Sequence, residues 1–346
     1  PSRGRRSVVG PLRLLDVHGG PRLREDDGFS FEDDGVYLLL FQFYKLLFVS
    51  DATKHYHSLI EVSKKSVMTI FSGNIKKMAV DVNADNLAQY QLKVGDNKLN
   101  MNDVIGKHIS VNYESTINCV HCGRKTKKSF SQGYCYPCLT KLAQCDSCII
   151  KPEKCHYDQG TCREPEWGEA NCLQSHFVYL SNTGNAKVGI TRFVTDGVSS
   201  RWIDQGASQA IPILRVHNRL MSGLVETALK AQIADKTNWR KMLQGEAEPI
   251  DLIALKETLL KNASAELNAL QNEYGLQSMS SIDSDIIDIA YPVESYPTKI
   301  KSINLDKELG FEGKLQGIKG QYLLLDGDRV INLRKYSGYH LNIEIQ

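Results

Sequence analysis

The most constraining feature of this sequence is a run of cysteines that fills one short stretch. All nine cysteines of the 346-residue chain lie between Cys119 and Cys172. An odd number suits a disulfide framework poorly, whereas pairs separated by two residues are typical of metal sites. Thiolates stay free to bind metal in a reducing compartment, so the sequence predicts a metal-folded module in a cytoplasmic protein.

The first four cysteines form two pairs, Cys119 with Cys122 and Cys135 with Cys138. Twelve residues separate the two pairs, which is the spacing of a zinc ribbon. In such a ribbon two short knuckles complete a tetrahedron of thiolates around Zn²⁺. The sequence therefore predicts a four-cysteine zinc site here, with a disulfide or free thiols as the alternative.

The later cysteines indicate a second metal site with a less defined ligand set. Its candidate ligands are Cys145, Cys148, Cys155, His156, Cys162 and Cys172. We predict a second zinc ion bound by Cys145, Cys148, Cys162 and either Cys155 or His156. His176, four residues after Cys172, is either a further ligand or simply the start of a strand. A [4Fe–4S] cluster is the rival chemistry, because thiolates serve both metals.

A basic loop lies between the two zinc knuckles. It holds Arg124, Lys125, Lys127 and Lys128, and aromatic residues follow at Phe130, Tyr134 and Tyr136. Cations beside aromatic rings on a rigid loop suit phosphate contact combined with base stacking. We therefore predict DNA or RNA contact at these four cations, although a solvated loop has the same composition.

Composition limits the remaining possibilities. The apolar fraction of 42% and the charged fraction of 24% are typical of a soluble globular protein. A net charge of +2 argues against a generic polyanion binder but allows a local basic patch. The apolar stretch 36–49 is too short to cross a bilayer, which needs about 20 residues, and is interpreted as a buried strand or helix or as an amphipathic membrane segment. No membrane partner is expected for the protein.

The chain divides into five segments in this interpretation. Residues 1–67 precede the first methionine, Met68, and are interpreted as an upstream extension without assigned function, the alternative being a genuine domain. Residues 68–116 alternate as strands, with a hairpin around Gly95 and Asp96, and predict a small β domain. The cysteine module occupies 117–176, an α/β core 177–245, and a helical and β region 246–346.

The α/β core begins with a hairpin, 177–181 and 186–191, joined by turn residues. Ser199 and Ser200 are expected to cap a short helix, and a strand is expected over 211–216. A helix is predicted over about 220–234, and a short helix opens at 237–240. Beyond it, a single long helix is predicted from Asp251 to Tyr274 and ends at Gly275, before a hairpin over 321–333. The predicted class is α+β.

This order of elements and polar residues resembles the GIY-YIG nuclease superfamily over about 177–243. The residues that match its motifs are Tyr179, Gly189, Arg201, Glu226 and Asn238. The chain departs from the motif at Lys187, which stands where the second half-motif has tyrosine. Some branches of the superfamily carry lysine there, and loss of that tyrosine also marks inactive members.

The resemblance implies metal-dependent phosphodiester hydrolysis. Glu226 would hold one Mg²⁺ or Mn²⁺ ion, Arg201 would bind phosphate, and Asn238 would buttress the site. Tyr179 or Lys187 would help to deprotonate water, which for a lysine requires a lowered pKa. The alternatives are a nucleic-acid-binding protein without catalysis and a zinc-stabilised protein-interaction module.

A second resemblance covers nearly everything from Met68. The strings CGRKTKKSFSQGYCYPC, KVGITR, RWIDQGA and DKTNW look like a bacterial Cys-rich family of unknown function. That resemblance implies an architecture and no activity.

Overall fold

A computed structural model describes residues 68–195 and 197–346. The predicted upstream extension, residues 1–67, lies outside these described residues. Within them the chain is mixed α and β, as predicted. The strands are β1 Thr69–Asn74, β2 Ala79–Val82, β3 Ala88–Val94, β4 Asn97–Asn100, β5 His108–Asn118, β6 Lys125–Thr126, β7 His176–Asn182, β8 Ala186–Thr191, β9 Gln209–Val216, β10 Met279–Ser281, β11 Ile287–Asp288, β12 Lys301–Ser302, β13 Gly310–Lys319, β14 Tyr322–Leu325, β15 Arg329–Asn332 and β16 Tyr339–Ile345.

The α-helices are short, and the cysteine module is built mainly from single 3₁₀ turns. The helices are α1 Tyr136–Lys141, α2 Pro165–Asn171, α3 Ser200–Asp204, α4 Arg219–Leu229, α5 Trp239–Leu243, α6 Leu252–Asn262 and α7 Ser264–Tyr274. The 3₁₀ turns of the module are Ala143–Cys145, Ser147–Ile149, Pro152–Lys154 and Tyr157–Gln159. None of the helices in the described ranges is long and apolar enough to cross a membrane.

The largest sheet joins the beginning and the end of the described chain. Its order is β1-β16-β5-β13-β14-β15-β12, and β6 extends β5. β5 therefore lies between β16 and β13, with Val111 opposite both Ile343 and Phe311. This differs from the separate small β domain expected over 68–116, because the partners of β1 and β5 lie at the far end of the sequence. The hairpin around Gly95 is confirmed as β3–β4 in a three-stranded sheet with β2.

A second sheet forms the centre of the α/β core, in the order β10-β9-β7-β8 with β11 also on β9. β7 is one of its two central strands and is covered on both faces. Val178 and Leu180 pack against α4 and α6, whereas Tyr179 packs on Trp202 in the core of the large sheet. Burial of one such aliphatic side chain contributes about 1.5–3 kcal/mol.

Two helix predictions require correction. α4 ends at Leu229 rather than near residue 234, because the following segment runs beside β8, where the Val188 N–H donates to the Ala234 carbonyl at 2.9 Å. The single helix expected from Asp251 to Tyr274 is two helices, α6 and α7, with a break at Ala263. Its predicted ends are confirmed: Asp251 caps α6, and Gly275 follows α7 with a φ of +96°.

Candidate metal centre and candidate active site

The four thiols of the first cysteine set converge on one point. The sulfurs of Cys119, Cys122, Cys135 and Cys138 all lie within 4.8 Å of one another. Cys122 Sγ and Cys135 Sγ are 3.7 Å apart. A zinc ion bound tetrahedrally at about 2.3 Å separates its sulfurs by about 3.8 Å. The geometry therefore fits Zn²⁺.

Each knuckle is held by its own secondary structure. The first knuckle lies in the β5–β6 hairpin, where the Gly123 N–H donates to the Cys119 carbonyl at 2.9 Å. In the second, Cys135 immediately precedes α1, whose first turn contains Cys138. Gly133 connects the two knuckles with a φ of +129°, and a Cβ there would lie 2.6 Å from Val120. Only glycine fits this position without rearrangement.

Backbone dipoles favour the charged form of one thiol at this centre. Burial raises the pKa of Cys119, but the N–H groups of Cys122, Cys135 and His121 outweigh that effect and lower it to about 6. Hydrogen bonds to a thiolate stabilise it, and the thiolate is the form that binds metal.

Four of the later cysteines surround a second, separate cavity. Cys148, Cys155, Cys162 and Cys172 line it together with His156 and Trp167. Burial raises the pKa of Cys172, and the nearby thiols of Cys155 and Cys162 raise it further. The sulfurs are thus close enough to interact, although no pair of them belongs to a Cys-x2-Cys motif.

Two members of the predicted second set have contacts outside this group of four thiols. Cys145 is absent from the residues that line this cavity. Burial raises the pKa of Cys145 to about 11, and Arg163 opposes that rise. Cys119 and Cys135 add to it, which indicates that the Cys145 thiol lies near the first centre. His156 faces Asp146, with Nε2 3.4 Å from Oδ2, and the same carboxylate accepts a bond from Arg163 Nε at 2.7 Å.

His176 begins β7 and is fully buried. Its Nδ1 lies 2.7 Å from the Gln174 carbonyl, whereas its Nε2 finds no hydrogen-bond partner among the described residues. Burial lowers the pKa of His176 to about 4, and the positive charges of Arg219 and Arg192 lower it further. The neutral ring therefore serves as the buried start of the strand.

The predicted nucleic-acid loop is fully accessible. Arg124, Lys125, Lys127 and Lys128 are all exposed. The Lys128 ammonium lies 5.5 Å from the centre of the Phe130 ring, and Phe130 meets the 61% exposed Tyr136 edge to face. Cations and an open aromatic ring thus share one surface of the cysteine knuckles.

Two of the candidate catalytic residues meet at one acceptor. Tyr179 on β7 and Lys187 on β8 both donate to Gln205 Oε1, each at 2.9 Å. Burial raises the pKa of Tyr179 to about 12, opposed by the charge of Arg201. Burial also lowers the pKa of Lys187 to about 8, and here Arg201 adds to the effect.

Glu226 and Arg201 stand within electrostatic reach of this pair. Burial raises the pKa of Glu226, while Lys230 and Arg201 oppose the rise. The Lys230 ammonium lies 3.5 Å from Glu226 and 3.2 Å from Asp235, so that it bridges two carboxylates. Arg201 is exposed on the capped helix α3, where Ser199 accepts from its backbone N–H.

Asn238 has a local structural contact. Its side chain accepts from the Lys241 N–H at 3.3 Å and so caps α5. This cap fixes the start of the helix that carries Trp239, whose ring stacks on Tyr322 at 5.6 Å between centroids.

An open cleft of about 410 Å³ borders Lys187, which is itself buried. Its lining residues are Lys187, Asp204, Gln205, Asp235, Lys236, Thr237, Trp239, Met242 and Tyr322. Tyr179, Arg201, Glu226 and Asn238 are not among them. Gln205 and Asp235 were missed by the sequence reasoning, although each lies in a string, RWIDQGA or DKTNW, that the wider resemblance had marked.

A family model matches most of the chain. Residues 106–341, which run from β5 to β16, match a family described as a protein of unknown function, DUF2797. Neither the curated proteins nor the solved structures gave a match. The chain therefore belongs to the DUF2797 family.

Proposed function

We propose that this protein binds nucleic acid and hydrolyses phosphodiester bonds with a GIY-YIG-like site. One observation carries the proposal: Tyr179 and Lys187, on adjacent strands, donate to the same Gln205 oxygen. The elements β7, β8, α3, β9 and α4 follow one another in the ββαβα order that the resemblance implies, with β7 in the middle of the sheet.

Lys187 is the residue best suited to accept a proton. Its pKa of about 8 leaves about a tenth of the amine neutral at pH 7 and about half at pH 8, and its buried side chain borders the open cleft. A general base is most effective when its pKa lies near the working pH. Arg201, exposed one helix away, would pair with phosphate oxygens through its planar guanidinium.

Glu226 and Asp235 form the proposed divalent-ion site. Both carboxylates contact the Lys230 ammonium, so the position between them already accommodates a cation. Carboxylate oxygens suit Mg²⁺ and Mn²⁺, and such an ion would replace the ammonium between them. Bound there, it would supply charge stabilisation for the phosphate.

A cleavage assay tests the catalytic part. Labelled single-stranded and duplex DNA and RNA are incubated with the full chain in Mg²⁺, Mn²⁺ or chelator. We expect metal-dependent nicking that falls at least about 100-fold in Glu226→Gln and in Lys187→Met. Glu257→Gln, which alters an exposed acid on α6, is the matched control and should leave the rate unchanged. Cleavage that survives Glu226→Gln would rule out this site.

Binding without chemistry is the second candidate, and the exposed basic and aromatic surface around Phe130 and Tyr136 favours it. Phosphate contacts release counterions, so affinity should fall steeply as salt is raised. Removing Arg124, Lys125, Lys127 and Lys128 together should reduce the salt slope by about 3. The charge-matched control removes the exposed Lys93, Lys98, Lys261 and Lys307. An equal loss in both variants would mean that the loop has no specific role.

A further inference from the structure

The two cysteine groups differ in how closely their sulfurs approach. Of the thiols that the structure describes, only Cys119, Cys122, Cys135 and Cys138 form a group of three or more within 4.8 Å of one another. Cys155, Cys162 and Cys172 border one cavity with Cys148 but do not reach that spacing. The second group therefore lacks the mutual sulfur spacing that four thiolates on one zinc ion require.

The distance between the sulfurs depends on the metal centre that they bind. Four thiolates on one zinc ion lie about 3.8 Å apart. Four thiolates on the corners of a [4Fe–4S] cubane lie about 6 Å apart, because an iron atom stands between each sulfur and the centre. We propose that Cys148, Cys155, Cys162 and Cys172 bind a [4Fe–4S] cluster, distinct from the zinc ion of the first centre.

The walls of the cavity suit a cluster. Trp167, Tyr157 and Ile149 line it together with the thiols. Gly168 on α2 faces it as well, since a Cβ there would lie 3.4 Å from the Cys162 sulfur and 3.2 Å from Tyr157. Apolar walls of this kind limit access of water, which stabilises iron–sulfur centres and sets their potential.

Arg219 supplies the positive charge that such a cluster needs. As the first residue of α4, it donates its N–H to the Cys172 carbonyl at 2.7 Å and its Nη2 to the Ile149 carbonyl at 2.6 Å. Its Nε is buried and, among the described residues, has no hydrogen-bond acceptor. An N–H group held beside Cys148 and Cys172 is placed to donate to cluster or thiolate sulfur.

The rival is a mononuclear site at Asp146, Cys148 and His156, whose ligand atoms lie within 4.8 Å of one another. An ion pair already explains that arrangement, since Asp146 accepts from Arg163 Nε at 2.7 Å and faces His156. His156 Nδ1 also contacts Thr161 Oγ1 at 2.7 Å. The rival set uses one sulfur and leaves three buried or half-buried thiols around the cavity unexplained.

Metal and sulfide analysis of the full chain, purified without oxygen from iron-replete cells, tests the proposal. We expect about four iron atoms, about four acid-labile sulfides and one zinc ion per chain, with the broad visible absorption of iron–thiolate charge transfer. Cys155→Ser and Cys172→Ser should each lose the iron and sulfide while the zinc remains. Cys122→Ser should lose the zinc while the iron remains.

Two further variants separate the ligand sets. Cys145→Ser is the matched cysteine control and should retain both metals, and His156→Ala should retain the iron. Two zinc ions and no iron in the anaerobic protein would overturn the cluster. Loss of iron in His156→Ala, or full iron in both Cys155→Ser and Cys172→Ser, would overturn the ligand assignment.

Discussion

Gly189 shows how a single missing side chain shapes the candidate active site. It lies directly across from Tyr179 in the β7–β8 pair. A Cβ built on Gly189 would lie 2.6 Å from the Tyr179 hydroxyl oxygen, far inside normal contact distance. The backbone of β8 thus leaves the space through which the tyrosine reaches Gln205.

Gly189→Ala should therefore destabilise the protein. Tyr179 is fully buried against Trp202 and cannot swing into solvent, so the added methyl group overpacks the core. Overpacking of this kind costs about 1–3 kcal/mol of unfolding free energy, which urea denaturation would measure. Gly245→Ala is the control, because a Cβ there meets no atom within 4 Å. Equal stability of the two variants would contradict the packing described here.

Lys187 makes the stability of the protein depend on pH. Burial lowers its pKa from 10.5 to about 8, so between these values the unfolded state holds a proton that the folded state lacks. Stability contributed by this group therefore rises with pH across that window. Below pH 8 the burial of the charged amine costs the full amount, about 3 kcal/mol.

Lys187→Met should flatten this dependence. Between pH 8 and 10 the slope of unfolding free energy against pH should fall by about 1.4 kcal/mol per unit relative to wild type. Burial also lowers the pKa of Lys319 to about 8. Its contribution to the slope is the same in both proteins and therefore does not affect the difference between them. Urea titrations at several pH values measure the slopes, with the exposed Lys98→Met as control. Parallel curves for wild type and Lys187→Met would contradict the assignment.

At the scale of elements, α4 joins the cysteine module to the central sheet. Gly223, in the middle of α4, faces the 3₁₀ turn Pro152–Lys154. A Cβ on Gly223 would lie 2.4 Å from the Glu153 backbone nitrogen. The opposite side of the helix buries Val225 and Leu229 against the sheet. One short helix therefore contacts both parts of the molecule.

The sign of the stability change in Gly223→Ala shows whether helix propensity or packing dominates at this position. In an unconstrained helix, replacing glycine with alanine stabilises by about 1 kcal/mol. Here the methyl group would collide with backbone atoms that cannot turn away, and we expect a net loss of about 1–3 kcal/mol. Thermal or urea unfolding gives the sign directly. A stabilised variant would mean that the module does not press against α4.

Local patterns in the sequence predicted the elements whose determinants are local. The β7–β8 hairpin, the Ser199 cap and the Gly275 helix end all depend on residues within a few positions. The end of α4 could not be predicted in this way, because it depends on the Ala234 carbonyl meeting β8. The pairing of β5 with β16 likewise depends on residues far apart in the sequence.

The candidate sites likewise divide into one that local spacing predicted and others that depend on the fold. Two Cys-x2-Cys pairs at ribbon spacing identified the first centre, because that spacing is typical of a four-thiolate zinc site. The cavity of Cys148, Cys155, Cys162 and Cys172 has no such short spacing, and only the fold separates Cys145 from it. Gln205 and Asp235 belong to the cleft because of where α3 and the segment after α4 lie, which no motif encodes.

At the scale of the whole molecule, the cysteine module continues directly from the large sheet. β5 passes directly from the sheet into the first knuckle, and the Asn118 N–H donates to the Gly338 carbonyl at 2.8 Å. Ser129 Oγ donates to the Ser337 carbonyl at 3.1 Å, next to the start of β16. The pairing of β5 with β16 and β13 involves no metal ligand, so the sheet has its own source of stability.

Loss of zinc should therefore unfold the knuckles and spare the sheet. In Cys122→Ser the metal-binding free energy, about 10–16 kcal/mol in isolated zinc fingers, no longer holds the loop 124–128 in place. Trypsin should then cut at Lys125, Lys127 or Lys128 at least about tenfold faster than in wild type, while fragments containing β13 to β16 stay intact. Mass spectrometry of timed digests reads both outcomes, and Cys145→Ser should digest like wild type. If Cys122→Ser were digested throughout, the zinc ion would be holding the entire fold; if its digestion were unchanged, the knuckles would not depend on metal.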